Sequence, residues 1–439
     1  GADSFDHVLT HVAGPALVDT TLLLTGVGLF VAAVGAPAAW LVTAYDFPGR
    51  RFAEAALLTP LALPAYVLAF AWLDLLHPIG PVQTTLRDLL GYARPADLRL
   101  PDLRSLGGAV LVYGFALYPY VYIALRAAFL ARMAGQTEAA RLLGASETGV
   151  FLRVALPMAR PALAASVALA LMETLNDVGA AEFLSVNTLT TAIYATWINR
   201  SDLPGAAQLA AASVVVVLAL VAMERQARGA RGYAARSSRR AAPRRAGGFK
   251  GLALLALCLA PPLIGFAAPA LHLMRAAAAR WSLAHDLGEI AAALVNTLVA
   301  ASLATAASVV VALLTAAAVR FGRGDRLRAG LAAAASIGYA VPGTVLGIGL
   351  LAAFGATDAA WRWLSVAKGL LVSASLFGVV LALSIRFFRL AASKIEAGYE
   401  RLPLSLDHSA RMLGRGDVAI LREIHWPLLR SATAGAALL

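Results

Sequence analysis

Apolar positions in this chain fall in long unbroken runs, without the alternation that marks elements half-exposed to water. No Asp, Glu, Lys or Arg occurs in residues 20–44, 55–73, 106–125, 203–223, 251–274, 290–319, 329–357 or 369–385. A helix of about 17 to 25 apolar residues crosses a hydrocarbon core of about 30 Å, so each run is long enough to span a membrane. Residues 161–184 give a ninth candidate despite Glu173, Asp177 and Glu182, and 428–439 begins a further helix that stops short. The pattern predicts an all-α polytopic membrane protein with nine spans and a stub. Kinks are expected at Pro37, Pro60, Pro64 and Pro342, which neighbouring helices tolerate by re-satisfying freed carbonyls.

Composition agrees: 60% of residues are apolar and 14% charged, against about 25% charged in soluble domains. The net charge of +12 would suit a nucleic-acid binder, but nine of the positive residues lie between Glu224 and Lys250. Such local excess fits the positive-inside bias of membrane loops. Loops bearing Arg50 and Arg51, Arg126 to Arg160, the 224–250 cluster, Arg320 to Arg328 and Arg386 to Arg430 are accordingly assigned to the cytoplasm, and the 77–105 loop to the outside. Cys258, the single cysteine, lies inside an apolar run and excludes an intrachain disulfide. The chain begins without Met or a signal peptide of the usual form, so Gly1 is expected not to be the natural start.

An internal repeat organises the spans. Glu138-Ala139-Ala140, Gly144 and Val154 to Pro157 return 270 residues later as His408-Ser409-Ala410, Gly414 and Ile424 to Pro427. The 63–68 stretch likewise resembles 341–346, and the span at Thr20 matches the span at Ile290. Two homologous, parallel six-helix halves follow: residues 1–223, a basic cytoplasmic linker at 224–250, and residues 251–439. One helix is expected to be missing at each end, the second half being truncated at its C-terminus. Between two spans, Ala139, Ala140, Leu142 and Leu143 offer a small apolar face. Gly144 permits a turn that a side chain would block, and a second short helix is expected over 148–156, stopped by Pro157. Such a knuckle can fit a groove on a partner, whose rotation then moves the attached spans.

Residues 138–157 resemble the EAA loop of ATP-binding-cassette importer permeases: Glu138, Ala139, Ala140, Gly144, Leu156 and Pro157 all match, with Val154 at the Ile place. The 153–161 run, Met172 to Leu175, Asp177, Gly179, 188–197, 40–43, 46–51 and Tyr118-Pro119-Tyr120-Val121-Tyr122 resemble the fused two-domain permeases of bacterial ferric-iron uptake. This resemblance implies a multi-pass bacterial inner-membrane permease served by two copies of a cytoplasmic ABC ATPase, which bring ATP and Mg, and by a periplasmic substrate-binding protein. Relatives carrying thiamine, phosphonate or polyamines share these motifs. In the second loop His408 replaces the Glu, Ser409 an Ala and Trp426 the Leu before Pro427, so the two ATPase subunits are expected to be held unequally. Gly414, Ala410 and Pro427 keep the shape.

No phosphate-binding glycine loop ending in Lys-Ser/Thr and no His/Cys ligand cluster occurs in the sequence, so neither an ATPase site, a metal site nor a cofactor of its own is expected. The chain is expected not to be an enzyme by itself. Glu173 and Asp177, four residues apart, would share one helical face, with Glu182 near the outer end of the same span. They either line a path for a hard cation, which suits oxygen ligands, or bond neighbouring helices. An ion-coupled secondary carrier, also built from parallel repeats, is the rival of another class. It would leave the paired loops without a purpose.

Overall fold

The computed structural model describes residues 12–132, 134–229, 243–280, 287–322, 330, 338, 341–363, 372 and 375–438. Helices follow in the order α1 (Gly14–Ala44), α2 (Arg50–Ala56), α3 (Ala65–Leu75), α4 (Pro81–Leu90), α5 (Leu106–Arg132), α6 (Ala134–Leu142), α7 (Glu147–Met158), α8 (Arg160–Asn176), α9 (Val178–Phe183), α10 (Leu189–Tyr194) and α11 (Leu203–Gly229). After these come α12 (Gly248–Arg280), α13 (Leu287–Phe321), α14 (Gly343–Trp363), α15 (Leu376–Tyr399), α16 (Leu404–Met412), α17 (Asp417–Ile420, extended by a π turn to His425) and α18 (Trp426–Leu438). The strands among the described residues are two-residue pieces, β1 (Tyr45–Asp46) beside β2 (Arg244–Arg245), paired in parallel. Among the described residues seven helices are long and apolar enough to cross a membrane, and two bent pairs bring the number to nine. Each expected span overlaps one of these helices, although much of 329–342 and of 369–374, in the eighth and ninth charge-poor runs, lies outside the described residues, and α18 stands where the stub was expected.

Both bends have local causes. Residues 50–62 meet α3 at 94° because Pro64 pushes Leu63 out of helical backbone, to φ −111° and ψ 127°. The second pair, α7 and α8, bends by 74° at Ala159. Pro157 does not stop α7 as expected. The helix carries it in its last turn, behind a π-helical stretch Phe151–Ala155 that rearranges the hydrogen-bond ladder just before the proline. The apolar run 161–184 is likewise not one helix: α8 ends at Asn176, Asp177 is extended, and α9 starts anew.

The chain packs as two compact units, Gly1–Leu283 and Ala284–Leu439. In the first, α1 and α5 form the largest helix pairing, with α8 against both. Close approach is possible because Gly35 faces α5: a Cβ there would sit 2.8 Å from Cβ of Val121 and 2.9 Å from the carbonyl oxygen of Tyr118. Val27, Val31, Tyr113, Tyr118 and Leu125 fill the core around this contact. Hydroxyls satisfy backbone groups where the ladder breaks, the Leu189 amide donating to Thr20 Oγ1 (2.9 Å) and Thr190 Oγ1 to the Leu175 carbonyl (2.7 Å). Although the repeat assigns α12 to the second half, it packs in this first unit against α1, α2 and α3. Lys250 lies 5.1 Å over the Tyr45 ring and His272 Nε2 is 2.6 Å from Asp74. Of the linker expected at 224–250, residues 230–242 lie outside the described residues. In the second unit α13, α15 and α18 pack around Ala312, Ala391, Ile395, Tyr399 and Leu429.

Candidate functional site

The two loops predicted from the repeat fold as copies of one knuckle. In the first, α6 ends at Leu142 and the chain passes through Gly144 at φ +83°, a left-handed backbone that side chains disfavour. The Ala145 amide donates to the Ala140 carbonyl (3.0 Å) and Gly144 to Arg141 (2.9 Å), which closes the helix end. Ser146 then caps α7 by accepting from the Gly149 amide at 3.2 Å. In the second, Gly414 has φ +77°, the Arg415 amide donates to Ala410 (3.0 Å) and Gly414 to Arg411 (3.0 Å). The π turn Leu421–His425 repeats Phe151–Ala155 at the 270-residue offset, so the repeat extends to backbone detail.

Each knuckle ends in an apolar tip. Leu142 and Leu143 are 89% and 88% exposed, and Met412 and Leu413 are 88% and 81% exposed. Large side chains left in water invite a partner surface. Glu138 and Ala139 are exposed beside the first tip and Ala140 half-buried, as His408 and Ser409 are exposed beside the second with Ala410 buried. Leu156 and Pro157 are half-buried, whereas Trp426 and Pro427 are exposed.

Ion pairs brace the turns. Arg141 donates from Nε and Nη2 to the two carboxylate oxygens of Glu147, at 3.2 and 3.1 Å. Arg244, on β2, adds a further bond to the same carboxylate. Partial burial pushes the Glu147 carboxyl up, but the hydrogen bonds and charges of Arg141 and Arg244 outweigh it and hold the group below the usual carboxylate range. In the second knuckle Arg411 reaches Asp417 at 3.0 Å, positions again 270 residues on. This pair of ion pairs was open to sequence reasoning, since both residues recur at the repeat offset. The arrival of Arg244, 97 residues beyond Glu147 in the chain, had no such signal.

The three membrane carboxylates do not share a face. Glu173 is half-buried in the last turn of α8. Asp177 lies beyond that helix and caps α9, its Oδ1 accepting from the Ala180 amide at 3.0 Å, while its carbonyl accepts from the Tyr113 hydroxyl at 3.3 Å. The i, i+4 spacing fails because the helix ends between the two residues. Glu182 is exposed and lines a cavity of about 220 Å³ with Asn187, Thr191, Tyr194 and Asn199. Among the described residues no group of three or more His, Cys, Asp or Glu could hold a metal ion.

Residues 27–230 match the family described as binding-protein-dependent transport system inner membrane component. The chain is a multi-pass membrane protein, and over residues 27–230 it is similar to inner-membrane transport components of that family. A Salmonella choleraesuis (strain SC-B67) permease named for 2-aminoethylphosphonate transport, PhnU, is 29% identical over 234 residues, 52% of this chain and 80% of its own length. The sulfate transport system permease protein CysW of Escherichia coli (strain K12) is 32% identical over 182 residues, 40% of this chain and 60% of its own. The Fe(3+)-transport system permease protein FbpB 2 of Haemophilus influenzae (strain Rd) is 26% identical over 206 residues, 47% of this chain and 36% of its own. A crystal structure of a bacterial alginate ABC transporter in complex with an alginate-bound periplasmic protein aligns over 51% of this chain and 81% of its own, at 18% identity and a TM-score of 0.40.

Proposed function

We propose that this chain is the membrane subunit of an ATP-driven importer in which both halves of the permease lie on one polypeptide. A cytoplasmic ATPase, present as two copies with ATP and Mg, docks on the tips Leu142-Leu143 and Met412-Leu413. A periplasmic binding protein delivers the solute. The observation that carries this reading is the repeated knuckle, two turns of matching backbone that both present a bare apolar tip. An ion-coupled carrier would have no use for them.

Ferric iron is the cargo in this reading, on the strength of the motifs spread along the chain. A phosphonate is the second reading, favoured by the match to PhnU over 80% of that protein. Because Asp177 is engaged as a helix cap, selectivity is assigned to the binding protein and not to a carboxylate ladder in the membrane. The test is to purify the binding protein encoded beside this chain, identify its ligand by mass spectrometry and elemental analysis, and follow uptake of that ligand into proteoliposomes holding permease, ATPase and ATP. Bound iron with ATP-dependent iron uptake supports the ferric reading. A bound phosphonate replaces the cargo and keeps the importer, and uptake independent of the ATPase overturns the importer.

A further inference from the structure

Beneath the second knuckle lies a buried polar cluster. Asp407, in the first turn of α16, is 4% exposed, yet its two carboxylate oxygens are both engaged: Oδ2 accepts from Arg320 Nε at 2.7 Å and Oδ1 faces His425 Nε2 at 2.9 Å. Arg320 sits at the C-terminal end of α13 and also donates from Nη2 to the carbonyl of Pro403, the residue just before α16, at 3.1 Å. His425, 1% exposed, has Nδ1 3.3 Å from the Tyr399 hydroxyl and its ring stacked on Phe321, with centroids 5.3 Å apart and planes at 13°. His425 thus bridges Asp407 and the Tyr399 hydroxyl through its two ring nitrogens.

The repeat makes this cluster informative. At the 270-residue offset, Asp407, His425 and Tyr399 correspond to Thr137, Ala155 and Phe129, of which none is ionisable. Burial of a carboxylate with an arginine is costly unless geometry is good and lone pairs are filled, and here both conditions hold. Partial burial raises the Asp407 carboxyl, while the bonds and charges of Arg320 and His425 bring it below the ordinary range. The cluster joins four elements: α13, the end of α15 at Tyr399, the knuckle helix α16 and the π turn before α18.

We propose that Asp407 is a positioning residue that fastens the second coupling helix to the end of membrane helix α13 through Arg320, and to α18 through His425, so that the second knuckle moves its spans by a buried Asp–Arg pair at a place where the first knuckle carries Thr137. This inference rests on the importer reading for its transport consequence, although the mechanical link itself does not. Loss of the link leaves the exposed tip able to bind an ATPase while the movement of that ATPase no longer reaches α13. Asp407 thus governs transport per ATP and not docking.

Two measurements test it. In detergent-solubilised permease without ATPase, spin labels at Ser409→Cys and Thr315→Cys report the α16–α13 distance. The distribution broadens in Asp407→Asn and stays narrow in Arg320→Lys, which keeps a cationic donor. An unchanged width in Asp407→Asn overturns the link whether or not the protein is an importer. In proteoliposomes with ATPase, binding protein and ATP, Asp407→Asn lowers solute uptake per ATP hydrolysed by about five-fold, the scale of a coupling change near 1 kcal/mol, with ATPase binding retained. If that variant melts early, Arg320→Gln, which leaves the Asp407–His425 pair in place, is read instead and shows the same loss. A wild-type ratio in a variant that melts like the parent overturns the proposal. Absence of ATP-dependent uptake in the wild type overturns the importer reading itself.

Discussion

Arg141 and Glu147 clasp the first knuckle across its turn through two parallel hydrogen bonds of 3.2 and 3.1 Å. Paired bonds of this kind fix orientation as well as charge, so the clasp sets how the tip at Leu142 and Leu143 is presented. Folding holds the Glu147 carboxyl below its usual range. A depressed carboxylate contributes stability above its unfolded pKa of about 4.3 and loses it as pH falls through the lower, folded value. Glu147→Gln is therefore expected to cost about 0.5–1 kcal/mol at pH 7. Chemical denaturation of parent and variant from pH 7 to pH 3 checks this, and the gap between them must close at the acid end.

Gly144 has open space around its Cα, so only its φ of +83° demands glycine. Gly144→Ala is expected to cost about 1–2 kcal/mol through left-handed strain, with Gly144→Asn milder. Gly414 has the same geometry, but its knuckle is anchored from below by Asp407. Uptake assays on Gly144→Asp and Gly414→Asp should therefore give unequal losses, and equal losses would argue against inequivalent knuckles.

Leu142→Asp and Leu143→Asp alter side chains that touch almost nothing in this chain. Surface changes of that kind stay within about 0.5 kcal/mol, so the melting curve should hold. Co-purification of the ATPase should nonetheless fall sharply, because in the proposed importer these side chains are the docking contact. A melting shift larger than this, with docking intact, would assign the tip to folding instead.

Asp177 tests the membrane carboxylates. Asn caps helices about as well as Asp, whereas Ala costs roughly 1 kcal/mol at such a position. Asp177→Asn should leave both stability and uptake near the parent, and Asp177→Ala should lower stability. Uptake abolished by Asp177→Asn at unchanged stability would restore Asp177 to a conduction path.

Gly35→Val places its β-carbon against Val121 and the Tyr118 carbonyl, where α1 and α5 nearly touch. Overpacking there is expected to cost about 1–3 kcal/mol, visible as a lower unfolding midpoint in detergent.

The sequence by itself determined the spans and the repeat, because both are written along one dimension. A charge-free run of about 20 residues has few outcomes other than a membrane helix, and Gly144 and Gly414 recur at a spacing that their backbone then matches. Tertiary structure decided the rest. The break at Asp177 in the apolar run 161–184 leaves the Leu175 carbonyl outside a helical ladder, and the hydroxyl that satisfies it comes from Thr190, beyond the run. Helix α12, expected in the second half, packs in the first unit, against the surfaces of α1, α2 and α3. Asp407 reads as an ordinary loop acid until Arg320, 87 residues away in the chain, and His425 close around it. Charge pairing between distant segments has no period, so only the folded chain reveals it.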